Sequence, residues 1–113
     1  MRETNFALDI LHMFEARNDI LGPEIMALGE YSWILLLQMF VHQANGTQIS
    51  HQQMMQCGDN PRIARRIINQ LVKRDMLKQG IPVLGSKEVS YRLTRQARSK
   101  VQMILATNLV TLS

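Results

Sequence analysis

One helix start constrains this chain more than any other feature. It is Asn60-Pro61, followed by Arg62-Ile63-Ala64-Arg65-Arg66-Ile67-Ile68-Asn69-Gln70-Leu71-Val72-Lys73-Arg74-Asp75-Met76-Leu77-Lys78. The Asn60 side-chain oxygen can accept from a free N–H of a first turn, and Pro61 sits where a missing donor costs nothing. The spacing predicts one helix over 61–78, with Ala64, Ile67, Ile68, Leu71 and Val72 as its buried stripe. Arg62, Arg65, Arg66, Asn69 and Lys73 fall largely on the other side. An apolar back with an Arg/Asn front suits a DNA major groove, where Arg bonds guanine edges or phosphates and Asn pairs with adenine. Taken alone, such a helix is more simply a solvated basic face, so its surroundings decide between the two readings.

The first of those surroundings is charge. The net charge of +4 conceals an asymmetry. Residues 1–61 set Arg2 and Arg17 against seven carboxylates, a net of −5, while residues 62–100 set eleven Lys/Arg against Asp75 and Glu88, a net of +9. The positive charge is gathered in the segment that begins with the basic helix, a footprint that attracts a polyanion, most commonly nucleic acid. No basic amphipathic helix bearing Trp or Phe accompanies it, which argues against an anionic lipid surface.

With 113 residues the chain is expected to form a single domain over 1–113, and 46% apolar content predicts folding rather than disorder. Its 8 methionines suit an adaptable core. The longest apolar run, Trp33 to Val41, is interrupted by Gln38 and is too short to span a bilayer. Met1-Arg2-Glu3-Thr4-Asn5 lacks a signal-peptide pattern, and the single Cys57 excludes an intrachain disulfide framework, so a reducing cytoplasm is expected.

Before the basic helix, residues 4–20 read as a helix with Phe6, Ile10, Met13, Phe14 and Arg17 along one side and Leu11 adjoining. That face is wide enough to pack on its own domain and on a second copy. Gly22-Pro23 breaks it, and Glu24 to Leu28 is a short turn with room for helix. A second helix, Glu30 to Ala44, is apolar nearly all round, with Tyr31, Trp33, Ile34, Leu36, Leu37, Phe40 and Val41, and reads as the central core helix. Asn45-Gly46 ends it. Thr47-Gln48-Ile49 has room for a very short strand. Ser50-His51-Gln52-Gln53 is a capping box that opens a short helix from His51 to about Cys57. Short helix, glycine-bearing turn and longer basic helix together make a helix-turn-helix pattern.

Beyond Leu77 the period changes from helical to two. Gln79 to Leu84 and Glu88 to Leu93 alternate, Gly85-Ser86-Lys87 is a turn between them, and Pro82 suits an edge strand. A hairpin placed directly after a basic helix is a wing. Thr94 then caps a final helix over about 95–107. The fold class expected is mainly α with a small β-wing: a winged helix-turn-helix over 47–94 with flanking N- and C-terminal helices.

Residues 28–98 resemble the MarR family of bacterial transcription regulators. The resemblance is carried by Trp33-Ile34-Leu35-Leu36-Leu37, by Ile49-Ser50, by the run from Ala64 to Leu77 against the family's T-R-x-x-D-x-L-x-x-x-G-L, and by Val89-Ser90-Tyr91-Arg92-Leu93-Thr94. It implies homodimerisation through the terminal helices and binding of a pseudo-palindromic operator. Arg66, at the family's helix arginine, would contact phosphate or base. The chain departs from the pattern in three ways. Asp75 stands where the family has glycine, the wing tip carries Lys87 alone, and the terminal helices are short.

Other constellations read more simply. His12, His42, His51 and Cys57 match no zinc spacing, so no metal and no cofactor is expected. Cys57 near arginines invites a redox-sensor reading, against the simpler one of a small buried residue closing a helix. No acid/base pair, phosphate loop or nucleophile motif marks an enzyme. Tyr31, Trp33 and the methionines could line an effector pocket, although core packing is the simpler account. The expected partner is double-stranded DNA, with no membrane. Ser50, His51 and Gln52 would position the first motif helix on the backbone. Arg62, Arg65, Arg66 and Asn69 would read or clamp the groove, and Lys73, Lys87 and Arg92 would add phosphate contacts. The alternative is a winged helix used as an adaptor, its basic face meeting an acidic protein partner.

Overall fold

The computed structural model describes residues 1–80 and 90–112, with side chains described as far as residue 107. The chain is mainly helical with one two-stranded antiparallel sheet. The elements are α1 (Arg2–Leu21), α2 (Pro23–Met26), α3 (Glu30–Ala44), α4 (His51–Met54), α5 (Pro61–Lys73), β1 (Leu77–Gln79), β2 (Tyr91–Leu93) and α6 (Arg95–Leu112). Leu77 pairs with Leu93, Lys78 with Arg92 and Gln79 with Tyr91.

The core lies where α3, α5 and α6 meet the sheet. Leu35, Leu36 and Met39 come from α3, Ala64, Ile67, Ile68 and Leu71 from α5, and Ala97, Val101 and Ile104 from α6. Met76, Leu77 and Leu93 seal its edge. Burial of α1 rises along its length. Phe6 and Leu11 are exposed, Ile10 and Met13 half-buried, Arg17 and Leu21 buried, and the helix packs chiefly on α6.

The expected Asn60 cap is present. Its Oδ1 accepts from Ile63 N–H at 3.0 Å, with Pro61 at the first helical position. The far end of α5 differs from expectation. The helix stops at Lys73 rather than running to 78, because Asp75 takes a left-handed backbone (φ 62°). Met76 N–H reaches back to Leu71 C=O at 2.8 Å and Asp75 N–H to Val72 C=O at 3.1 Å. These two bonds make a Schellman close, completed by burial of both Met76 and Leu71. The last five residues expected in the helix, 74–78, thus form its cap and the start of β1. That strand begins at Leu77, two residues earlier than expected, and the expected hairpin turn, with Pro82 and Lys87, lies outside the described residues.

Four further corrections follow from geometry. Val72 is 39% exposed, not part of the buried stripe. At about 100° per residue it lies roughly a quarter-turn from the stripe's centre, beside Arg65. Ile34 and Val41, at 41% and 54% exposure, share the face of α3 opposite Leu36 and Met39, so α3 is not buried all round. Thr47-Gln48-Ile49 forms no strand. Thr47 instead turns back on α3, its N–H and hydroxyl both donating to His42 C=O at 2.8 and 3.2 Å. The short helix α4 ends at Met54, and α6 continues to Leu112 rather than 107.

Thr94 ties the two halves of this region together. Its Oγ1 accepts from Ala97 N–H at 3.1 Å, capping α6, and donates to Asp75 C=O at 2.7 Å.

Candidate nucleic-acid interface

The basic face is built by helical arithmetic. Positions 62, 65, 66, 69 and 73 fall within an arc of about 100° on α5. Ala64, Ile67, Ile68 and Leu71 occupy the opposite arc and are buried. Anchoring the back of the helix in the core therefore leaves Arg62, Arg65, Arg66, Asn69 and Lys73 exposed. The ion pairs among the described residues lie elsewhere, at Arg17–Glu30 and Arg74–Glu24. The guanidiniums of Arg62, Arg65 and Arg66 are exposed, with no carboxylate paired to them among the described residues.

The orientation of α5 depends on Gly58. A Cβ there would stand 2.8 Å from Ile63 Cγ2 and 2.9 Å from Ala64 N. Any side chain at 58 would push the first turn of α5 away from α4. Tyr31 braces the same turn from α3, its hydroxyl donating to Asp59 Oδ1 at 2.9 Å. That bond, and the Asp59 charge behind it, raise the Tyr31 pKa.

The structure gathers only part of the expected set. His51, Arg65 and Asn69 surround a cavity of about 220 Å³ together with Met55, Ile68 and Tyr91. His51 Nδ1 is buried with no hydrogen-bond partner among the described residues. Gln52 is exposed beside it, while the Ser50 hydroxyl is engaged in the capping box, accepting from Gln53 N–H at 3.1 Å. Arg92 is not among the residues lining this cavity and opens on another one with Arg98. Lys87 lies outside the described residues. Tyr91 is the residue that sequence reasoning missed. The two-residue alternation could have found it, since Tyr91 shares a sheet face with buried Leu93, the face turned to the body of the protein.

Cys57 is 4% exposed, its Sγ 3.9 Å from Ala64 C=O, and burial pushes its pKa up. A thiol held in its protonated form is the opposite of an activated one. Among the described residues no cluster of His, Cys, Asp and Glu could hold a metal ion, and no helix is long and apolar enough to cross a membrane. No family model, no curated protein and no solved structure matches this chain.

Proposed function

We propose that this chain is a cytoplasmic transcription regulator that binds duplex DNA as a winged helix-turn-helix, of the kind the MarR resemblance implies, and that it has no catalytic function. One observation carries the reading: three exposed arginines and an asparagine on one face of α5, unpaired with any carboxylate among the described residues and backed by a buried Ile/Leu stripe. In this reading α4, the Gly58 turn and α5 are the helix-turn-helix, with α5 in the major groove. The paired strands β1 and β2 are the stem of the wing. The left-handed Asp75 supports the resemblance, because it supplies the backbone conformation for which the family's glycine is suited.

The protein acts as a homodimer in this proposal. Phe6 and Leu11 on α1 and Met103 on α6 leave large apolar groups in water, at 66%, 55% and 56% exposure. A second copy would bury them and set two α5 helices against successive major grooves.

A mobility-shift titration on random duplex over a range of salt tests the reading. Each neutralised phosphate should steepen the log–log salt dependence by about 0.9. Affinity that does not change with salt would refute it. A folded protein with no duplex affinity would instead promote the adaptor reading, in which the same face meets an acidic protein.

A further inference from the structure

The outer edge of β2 opens on a cavity that shares only Arg92 with the residues expected to contact DNA. The ladder bonds fix which way each residue of β2 faces. Gly80 N–H donates to Ser90 C=O at 2.8 Å and Thr94 N–H to Met76 C=O at 3.1 Å. By antiparallel alternation the backbone groups of Arg92 point to β1, and those of Tyr91 and Leu93 point outward. Leu93 N–H is taken by Gln43 Oε1 at 3.2 Å, in the place a third strand would fill. Tyr91 N–H and C=O have no partner among the described residues.

Alongside this open edge lies a cavity of about 320 Å³, lined by Met39, His42, Ile49, Tyr91, Arg92 and Arg98 together with the Gly46–Gln48 turn and Gln43. No lining residue is acidic, and neither arginine has a carboxylate partner among the described residues. Lys78 stands directly across the ladder from Arg92 and adds positive charge to this part of the sheet without lining the cavity. Guanidinium groups beside a backbone N–H that has no partner among the described residues make a donor set suited to tetrahedral oxyanions. Met39 and Ile49 add an apolar wall. The volume lies near the lower end of small-molecule sites, which begin at about 300 Å³.

We propose that this cavity binds a small phosphate-bearing anion, held by Arg92 and Arg98 against the open edge of β2. The site is separate from the α5 face, although Tyr91 lines both cavities.

Amide-resolved NMR titration of the full chain, with inorganic phosphate and phenyl phosphate in separate arms at constant ionic strength, tests the proposal. Saturable shifts are expected at Thr47, Tyr91 and Arg98. Arg98→Gln and Arg92→Lys, the latter keeping charge but losing the fork, should each weaken binding about tenfold. Arg65→Gln on α5 should leave it unchanged. Tighter binding of phenyl phosphate assigns the site to an organic phosphomonoester, and equal binding assigns it to free phosphate. Shifts that never saturate, or an equal loss in Arg65→Gln, would overturn the proposal. Circular dichroism of each variant separates lost binding from lost fold.

Discussion

At the α1–α3 contact, Arg17 is buried, bonded to Glu30 at 2.7 Å, with its guanidinium over the Phe14 and Trp33 rings at 4.8 and 5.5 Å. On α5, Arg62, Arg65 and Arg66 stand exposed with no carboxylate paired to them among the described residues. The two regions use the same side chain for opposite ends, and local charge supply decides which. The first 61 residues have seven acids for two arginines, and the buried one, Arg17, finds its partner inside the fold, while Arg2 is exposed with no ion pair among the described residues. Residues 62–100 have two acids for eleven bases, so most cations there must look outside it. An arginine's role follows from its neighbours' charge, and the division of labour can be attacked from either side.

The largest effect is expected on α5. Replacing Arg65 and Arg66 together with Ala should cost duplex affinity about 2–6 kcal/mol, from about 1–3 for each arginine that reads a base edge. Denaturant midpoints should barely move, since exposed substitutions stay within about 0.5 kcal/mol. A matching drop in stability would erase the distinction drawn above.

Arg17→Ala should do the reverse, costing stability about 2–3 kcal/mol, because the buried stem and the stacking on both rings disappear while duplex affinity holds. Arg17→Met keeps the stem and removes the buried Nε, which has no hydrogen-bond partner among the described residues. It should recover most of that stability, a result urea titration of the two variants would show.

Gly58→Ala strikes stability and duplex affinity at once. With a Cβ at 2.8 Å from Ile63 Cγ2, α5 must shift, at a cost of about 1–3 kcal/mol. Duplex affinity should fall too, because the arginine face moves with the helix. Reduced stability with affinity intact would mean that the posture of α5 does not matter for binding.

Asp75→Gly removes a left-handed side chain and should raise stability by about 1 kcal/mol, measured by thermal melting. A decrease would show that the Asp75 side chain compensates its own strain.

The smallest effect is alkaline. The Tyr31 pKa is raised first by its bond to Asp59, so the folded state holds that proton more tightly. Its contribution is present below the ordinary tyrosine pKa of about 10 and is lost as pH rises through the raised value. Cys57, also raised, drifts in the same direction, so the comparison must be wild type against Tyr31→Phe. The variant should show the shallower decline in stability above that pH.

Much of the fold was legible because short polar residues announce helix starts locally. Asn60-Pro61, the Ser50/Gln53 box and Thr94 each cap the helix they were expected to cap. Helix α3 spans the expected residues as well. At about 100° per residue Met76 and Leu77 would each lie about 130° from the centre of the α5 stripe, on its arginine side, so the spacing itself argued against a helix continued to 78. What decides there is the backbone of Asp75, whose side chain only weakly advertises a left-handed turn. The missing strand at Thr47-Gln48-Ile49 was hidden in the sequence. Its place beside β2 is taken by a glutamine from α3, fifty residues away in sequence from the N–H it satisfies. The exposed position of the α5 arginines could be read from spacing, whereas the grouping of Arg92 with Arg98 depended on tertiary packing.

The hydroxyl of Thr94 has a mechanical consequence. It receives from the first turn of α6 and gives to the carbonyl of Asp75, so one oxygen atom serves as a rivet between two rods. The trailing end of the cationic cylinder is thereby held at the start of α6, and removing that one oxygen would cost both rods a bond.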